Sequence, residues 1–134
     1  MLEYHVAAQR IDAHGSAAAC KEAMIVLDTS IRGRSDAFNP AELLLAAIAA
    51  GMIRGIERVT PMLRFNLRGV ETNIHGVRQD SPPRMESIAY EIVVETDEDD
   101  HRLALLHANV RKYGTVSNTV AAATRLEGTI RRKN

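Results

Sequence analysis

One side chain in the 134 residues could act as a thiol nucleophile, Cys20. Reaction there would need a thiolate, formed where cations or a helix N-terminus lower the pKa. Cys20 follows Ala17, Ala18 and Ala19 in a segment that reads as a strand, with only Lys21 as a neighbouring cation. Free cysteine is among the most buried residue types, so an inert role is the expectation. A lone cysteine also excludes an internal disulfide and a cysteine-based zinc finger. The histidines, His5, His14, His75, His101 and His107, are scattered. His101 and His107 share a helical segment but lack the i, i+4 spacing that grips a metal. No metal or cofactor is expected. His75 precedes Gly76 at a strand end, within range of a carboxylate such as Asp80. Hydrolysis by His75 or His107 would require one of those imidazoles to face a pocket at Gly51. Ser117-Asn118 has no G-x-S-x-G elbow around it, and Ser117 is better suited to capping a helix. Arg32 and Arg34, in "IRGRSDAFN", could hold an anion or carboxylate at the start of the next helix. Ordinary solvated loop charges are the competing reading.

These residues must be carried by a small aliphatic domain. The chain has the length of one domain, 1–134, and its hydrophobic fraction of 46% supports a core, but with 4% aromatics that core is aliphatic. Lys plus Arg equal Asp plus Glu, so no net field draws the chain to nucleic acid or an anionic membrane. The start "MLEYHVAAQRIDAHG" has no basic stretch followed by an apolar run, and Leu43 to Ile53 is too short an apolar segment to span a bilayer. The expected location is the cytoplasm.

"EYHVAAQRI" and "KEAMIVLDT" read as strands with a turn signal at His14-Gly15-Ser16, although the alanines between suit a helix as well. Asn39-Pro40 suits an N-cap followed by proline at the first helical position, and Glu42 falls where the helix dipole favours an anion. That helix should run to about Val59, with Pro61 stopping it. Its first half is apolar on nearly every face, which requires burial on all sides. One small chain can hardly supply that, so a second copy is expected to help cover it. Phe65 and Leu67 alternate with polar residues, and the apolar phase slips at Gly69, suggesting a bulge. Ile88, Tyr90, Ile92 and Val94 alternate against Glu91 and Glu95, a strand with one buried face that should pair with the preceding strand as an antiparallel hairpin. "TDEDDHRLALLHANVRKY" is a helix with acidic residues at its start and Arg111-Lys112 at its end. Its apolar stripe is Leu103, Leu106 and Val110, and Gly114 is the expected C-terminal cap. A short helix should follow, capped by Thr115 or Ser117, then a final strand through Leu126, Gly128 and Ile130. Segregated runs of strands and helices indicate an α+β fold.

Gly51 interrupts "ELLLAAIAAGMIRGI" where glycine costs about 1 kcal/mol relative to alanine. Ala47, Gly51 and Gly55 recur every four residues and form a stripe that would admit another backbone closely.

Two segments taken together resemble known ones. "FNPAELLLAAIAAGMIRGI" resembles the central helix of the OsmC/Ohr family of organic hydroperoxide reductases, which reads like Asn-Pro-x-Glu-Leu-Leu-Leu-Ala-Ala-x-Ala-Ala-Cys. "KYGTVSNTV" resembles the family's second signature, a Cys-x-Val-Ser-Asn run opening a later helix. The resemblance covers roughly Met24 to Arg132. It implies an intertwined homodimer, with antiparallel sheets wrapped around central helices and active sites at the subunit interface. It also implies peroxide reduction by a thiolate that becomes a sulfenic acid, is resolved to a disulfide by a second thiol, and is restored by a dithiol such as a lipoyl group. The two cysteine positions match Gly51 and Gly114. The family's glutamate matches Ala41, with Glu42 one residue on and about 100° further round the helix. The family's arginine, supplied from a loop, has Arg32 and Arg34 as its possible counterparts. The expectation is therefore an OsmC-like homodimer without cysteine peroxidase activity. Its interface pocket, near Glu42, Gly51, Gly55, Gly114, Arg32 and Arg34, would bind a small apolar or lipid-like molecule or serve packing alone. The alternative is a peroxide-reducing enzyme using Cys20 as a one-cysteine nucleophile.

Overall fold

The computed structural model describes all residues, 1–134. Its contacts divide the chain into two compact units, Met1–Leu44 and Leu45–Asn134.

The first unit is an antiparallel meander of β1 (Ala7–Asp12), β2 (Gly15–Cys20) and β3 (Ala23–Leu27). The sequence signals suggested two strands, with a turn at His14-Gly15-Ser16. Instead, the turn is Ala13-His14, closed by Asp12 Oδ1 accepting from the His14 amide at 2.8 Å, and Gly15-Ser16 already belong to a middle strand. The alanine run is extended because its backbone pairs on both sides, Ala8 with Ala18 and Ala18 with Ile25. Ladder bonds on two edges override alanine's low strand propensity. β1 is exposed along its whole length, as are Met24, Ile25 and Val26 of β3. The loop after β3 is organised by Asp28, which is 4% exposed and accepts from the amides of Ser30 and Arg34 at 3.0 and 2.9 Å.

Helix α1 spans Pro40–Leu63. Asn39 Oδ1 accepts from the Glu42 amide at 2.8 Å and Glu42 Oε1 accepts from the Asn39 amide at 3.0 Å, a reciprocal capping box. The helix does not stop at Pro61. Proline sits in the last turn, and Thr60 Oγ1 donates to the Ile56 carbonyl at 2.9 Å. Termination comes three residues later at Arg64, in a left-handed conformation with φ of 51°. The Phe65 amide returns to the Thr60 carbonyl at 2.8 Å and the Arg64 amide to that of Pro61 at 3.2 Å, a Schellman closure.

In the second unit, Ile48, Met52, Ile56 and Val59 of α1 form a core with Ile88, Tyr90, Ile92 and Val94 of β5 (Pro83–Glu95) and Leu103, Leu106 and Val110 of α2 (Asp100–Tyr113). β4 (Gly69–Asp80) pairs with β5 as the expected antiparallel hairpin. The bulge lies at Val77/Arg78, not at Gly69. Gly69 is where the strand begins, because Phe65 and Leu67 belong to the connection that leaves the α1 cap. α2 starts as its charges suggest, with Asp99 accepting from the Arg102 amide at 2.9 Å. α3 (Thr115–Ala121) follows, and β6 (Arg125–Arg132) joins β5 in parallel, Ile88 opposite Leu126 and Ile92 opposite Ile130. A parallel neighbour needs a crossover of a dozen or more residues, and α2 with α3 provides it. No helix is long and apolar enough to cross a membrane.

Candidate functional site

Gly51 lies in the middle of α1, and a Cβ there would meet Val116 of α3, with Cβ at 3.4 Å and Cγ2 at 3.6 Å. One turn on, a Cβ at Gly55 would meet Val110 Cγ1 of α2 at 3.2 Å. Gly51 and Gly55 thus form a smooth track against which α2 and α3 close. Ala47, the first member of the small-residue stripe, is exposed, as is Leu44.

Gly114 is not a left-handed cap. Its φ of −80° and ψ of 114° are extended, and it serves at once as the C-cap of α2 and the N-cap of α3. No side chain caps α3. Thr115 is its first residue, and Ser117 lies within its first turn, 3% exposed, so neither is the N-cap. The extended backbone at residue 114 lets one helix end and another begin without a loop between. A Cβ at Gly114 would stand 3.0 Å from the Val110 carbonyl oxygen and 3.3 Å from Ser117 Oγ. Gly51 and Gly114 are therefore brought to the same place, the start of α3, with Val116 two residues beyond Gly114 and against Gly51. Neither supplies a nucleophile or an acid.

Of the other site residues expected from sequence, Arg32, Arg34, Glu42 and Cys20 lie in the first unit and His75 in the second. Arg34 donates from Nε and Nη2 to the Asp36 carboxylate at 2.6 and 2.9 Å. That hydrogen bond holds the guanidinium above its usual range and the Asp36 carboxyl below its own. The charge of Arg34 is committed to Asp36. Arg32 is exposed. Glu42 is exposed and engaged in the capping box. Cys20 ends β2 as a half-buried free thiol. His75 is exposed on β4.

A cluster that sequence reasoning missed lies between α2 and β6. Tyr90, 4% exposed, shares a 2.6 Å hydrogen bond between its hydroxyl and His107 Nε2. Arg111 Nη1 donates to the same hydroxyl at 3.0 Å and to the Leu126 carbonyl at 3.1 Å. A guanidinium can only donate, so the Tyr90 hydroxyl oxygen accepts from Arg111. Burial, and then the nearby Arg111 charge, push the His107 pKa below the ordinary histidine value. The signal was present: His107 and Arg111 are one turn apart on α2, and an inward-pointing Tyr90 needs a partner for its hydroxyl.

A family model described as OsmC-like protein matches residues 33–128. Among solved structures, an OsmC-like protein from Mycoplasma pneumoniae superposes with a TM-score of 0.92 at 16% identity, covering 99% of each chain. The organic hydroperoxide resistance protein OsmC from Legionella pneumophila gives a TM-score of 0.74 at 16% identity, covering 97% of this chain and 98% of the other. The organic hydroperoxide resistance protein OhrB of Bacillus subtilis gives 0.70 at 14% identity, again covering 97% and 98%. At these identities the likeness is one of fold. No curated protein matches the sequence.

Proposed function

The chain belongs to the OsmC-like protein family, and from that premise we propose that it keeps the family scaffold without cysteine peroxidase chemistry. It acts as a homodimeric binding or structural module. The observation that carries this reading is the packing at residue 51. Where the family resemblance puts a peroxide-reactive thiol there is no side chain, and Val116 stands at 3.4 Å from the nearest point a Cβ could occupy. At Gly114 a Cβ would press on a backbone carbonyl at 3.0 Å, so a thiol there, unlike one at Gly51, requires the helix junction to shift. Hydroperoxide reduction through sulfenic acid and disulfide needs both sulfurs. In their place, glycine allows close approach of α2 and α3 to α1.

The homodimer is supported by apolar surface that a folded chain would not ordinarily leave in water. Val6 and Ile11 near or on β1, Met24, Ile25 and Val26 of β3, and Leu44 of α1 are exposed, with relative exposures from 39% to 70%. A second copy of the chain would bury them. The ligand class proposed for the binding reading is a small apolar molecule. The role in hydroperoxide resistance, stated for the Legionella and Bacillus proteins, would here be exercised by binding and not by turnover.

The test is steady-state consumption of cumene hydroperoxide with dihydrolipoamide as reductant. The expected result is no turnover above the protein-free reaction, with Cys20→Ser indistinguishable from the parent. Turnover abolished by Cys20→Ser would establish the one-cysteine enzyme instead. Size measurement by light scattering tests the dimer, and a monomer at micromolar concentration would remove it from the proposal.

A further inference from the structure

The groove between α2 and β6, of about 900 Å³, has a polar floor and apolar walls, and none of Gly51, Gly55 or Gly114 lines it. Its floor is the Tyr90–His107–Arg111 network. Ala104 and Ala108 of α2 face it from one side and Ile130 of β6 from the other. Two of its three arginines are engaged with carboxylates, Arg132 with Asp100 at 2.6 Å and Arg131 with Glu91 at 3.2 Å. Arg111 has no carboxylate partner. Its Nη1 is occupied by Tyr90 and Leu126, and its guanidinium lies 5.7 Å from the centre of the Tyr90 ring. The Nε and Nη2 hydrogens, the edge of the fork that grips a carboxylate in two parallel bonds, have no protein acceptor.

We propose that this groove binds a small organic carboxylate, with its two oxygens on the Nε–Nη2 edge of Arg111 and its apolar portion against Ala104, Ala108 and Ile130. The Tyr90 and Leu126 contacts hold the guanidinium in place before the ligand arrives, so little side-chain freedom is lost on binding. A monoanion suits the groove better than a phosphate dianion. Only one unpaired guanidinium is present, and Asp100 and Glu127 also line the groove and repel added negative charge. The small residues at 104 and 108 leave space for a short alkyl or aryl group where larger side chains would close the walls.

Titration of ¹⁵N-labelled protein with hexanoate tests the proposal, with hexanamide and inorganic phosphate as comparison probes. The expected result is saturable amide shifts confined to α2 and β6, and affinity for hexanoate at least tenfold above that for either comparison probe. Arg111→Gln should weaken hexanoate binding at least tenfold. Because Arg111 also holds Tyr90, a second variant, Ala108→Leu, fills the groove without touching the network and should likewise abolish the shifts. Hexanoate binding that survives both variants, or hexanamide or phosphate binding as tightly as hexanoate, overturns the assignment. So does an absence of shifts at millimolar hexanoate. The peroxide assay does not enter this test, so the groove can fail while the thiol-free reading stands, and the reverse.

Discussion

Replacing Gly51 and Gly55 separately with alanine should have opposite effects on stability. Both lie inside α1, where alanine is favoured over glycine by about 1 kcal/mol. At Gly51 the added methyl would sit 3.4 and 3.6 Å from Val116 atoms, ordinary van der Waals contact, so the helix gain is kept in full. Gly51→Ala should therefore stabilise the chain by about 1 kcal/mol, a rise in Tm of about 3 °C for a domain of this size. At Gly55 the methyl would meet Val110 Cγ1 at 3.2 Å, with its Cα only 3.8 Å away. Val110 is 1% exposed and stiff at χ1, so it yields with difficulty. Overpacking costs of about 1–3 kcal/mol outweigh the helix gain, and Gly55→Ala should lower Tm by a few degrees. Calorimetry on the two variants and the parent at equal concentration decides the matter. If Gly51→Ala is destabilising by more than Gly55→Ala, residue 51 needs its emptiness for something other than Val116, and the packing argument at that position fails.

Arg64 holds a left-handed conformation that costs a non-glycine residue about 1 kcal/mol or more. Arg64→Gly keeps both closing hydrogen bonds of α1 and should raise Tm by about 3 °C in the same calorimetric comparison; a fall would mean that the arginine side chain stabilises the cap. His107 is held below its usual pKa by burial first and the Arg111 charge second. The unfolded chain then binds this proton more readily than the folded one, so the stability His107 contributes is present above the ordinary histidine range and is lost as pH falls through it. Tm should decline between about pH 7.5 and 5.5, and His107→Gln, which keeps an acceptor for Tyr90, should flatten the decline. An equal slope in the variant would remove His107 as its source. The carboxyls of Asp36, Asp97 and Glu98, held low chiefly by hydrogen bonds from Arg34, Arg68 and the Asn66 amide, act at more acidic pH and leave that window clear.

Much of this fold could be read from local chemistry. The ends of α2 follow from Asp99 and Arg111-Lys112, the buried face of β5 from strict alternation, and the start of α1 from Asn39-Pro40-x-Glu42. The features that escaped depend on partners distant in sequence. The alanine-rich β2 is a strand only because β1 and β3 flank it. The stop signal of Pro61 was overruled because a helix tolerates a missing amide in its last turn when the chain closes properly at Arg64 and Phe65. Gly114 ends α2 as its position suggests, but it also serves as the N-cap of α3, and its backbone there is extended, not left-handed. The same holds for the site. The family motifs located Gly51 and Gly114, and the structure brings both to the start of α3. The Tyr90–His107–Arg111 network joins a strand to a helix; the spacing of His107 and Arg111 puts those two on one face of α2, but only the fold brings Tyr90 to them.

Whether any thiol in the protein attacks peroxide is answered most directly by a single-turnover measurement. Reduced protein is mixed with one equivalent of cumene hydroperoxide, without added reductant, and the loss of Cys20 thiol is followed with time. The expected result is oxidation no faster than that of a free cysteine in solution, and the same peroxide loss with Cys20→Ser as with buffer. Rapid stoichiometric consumption of peroxide, matched by loss of the Cys20 thiol, would contradict a thiol-free scaffold.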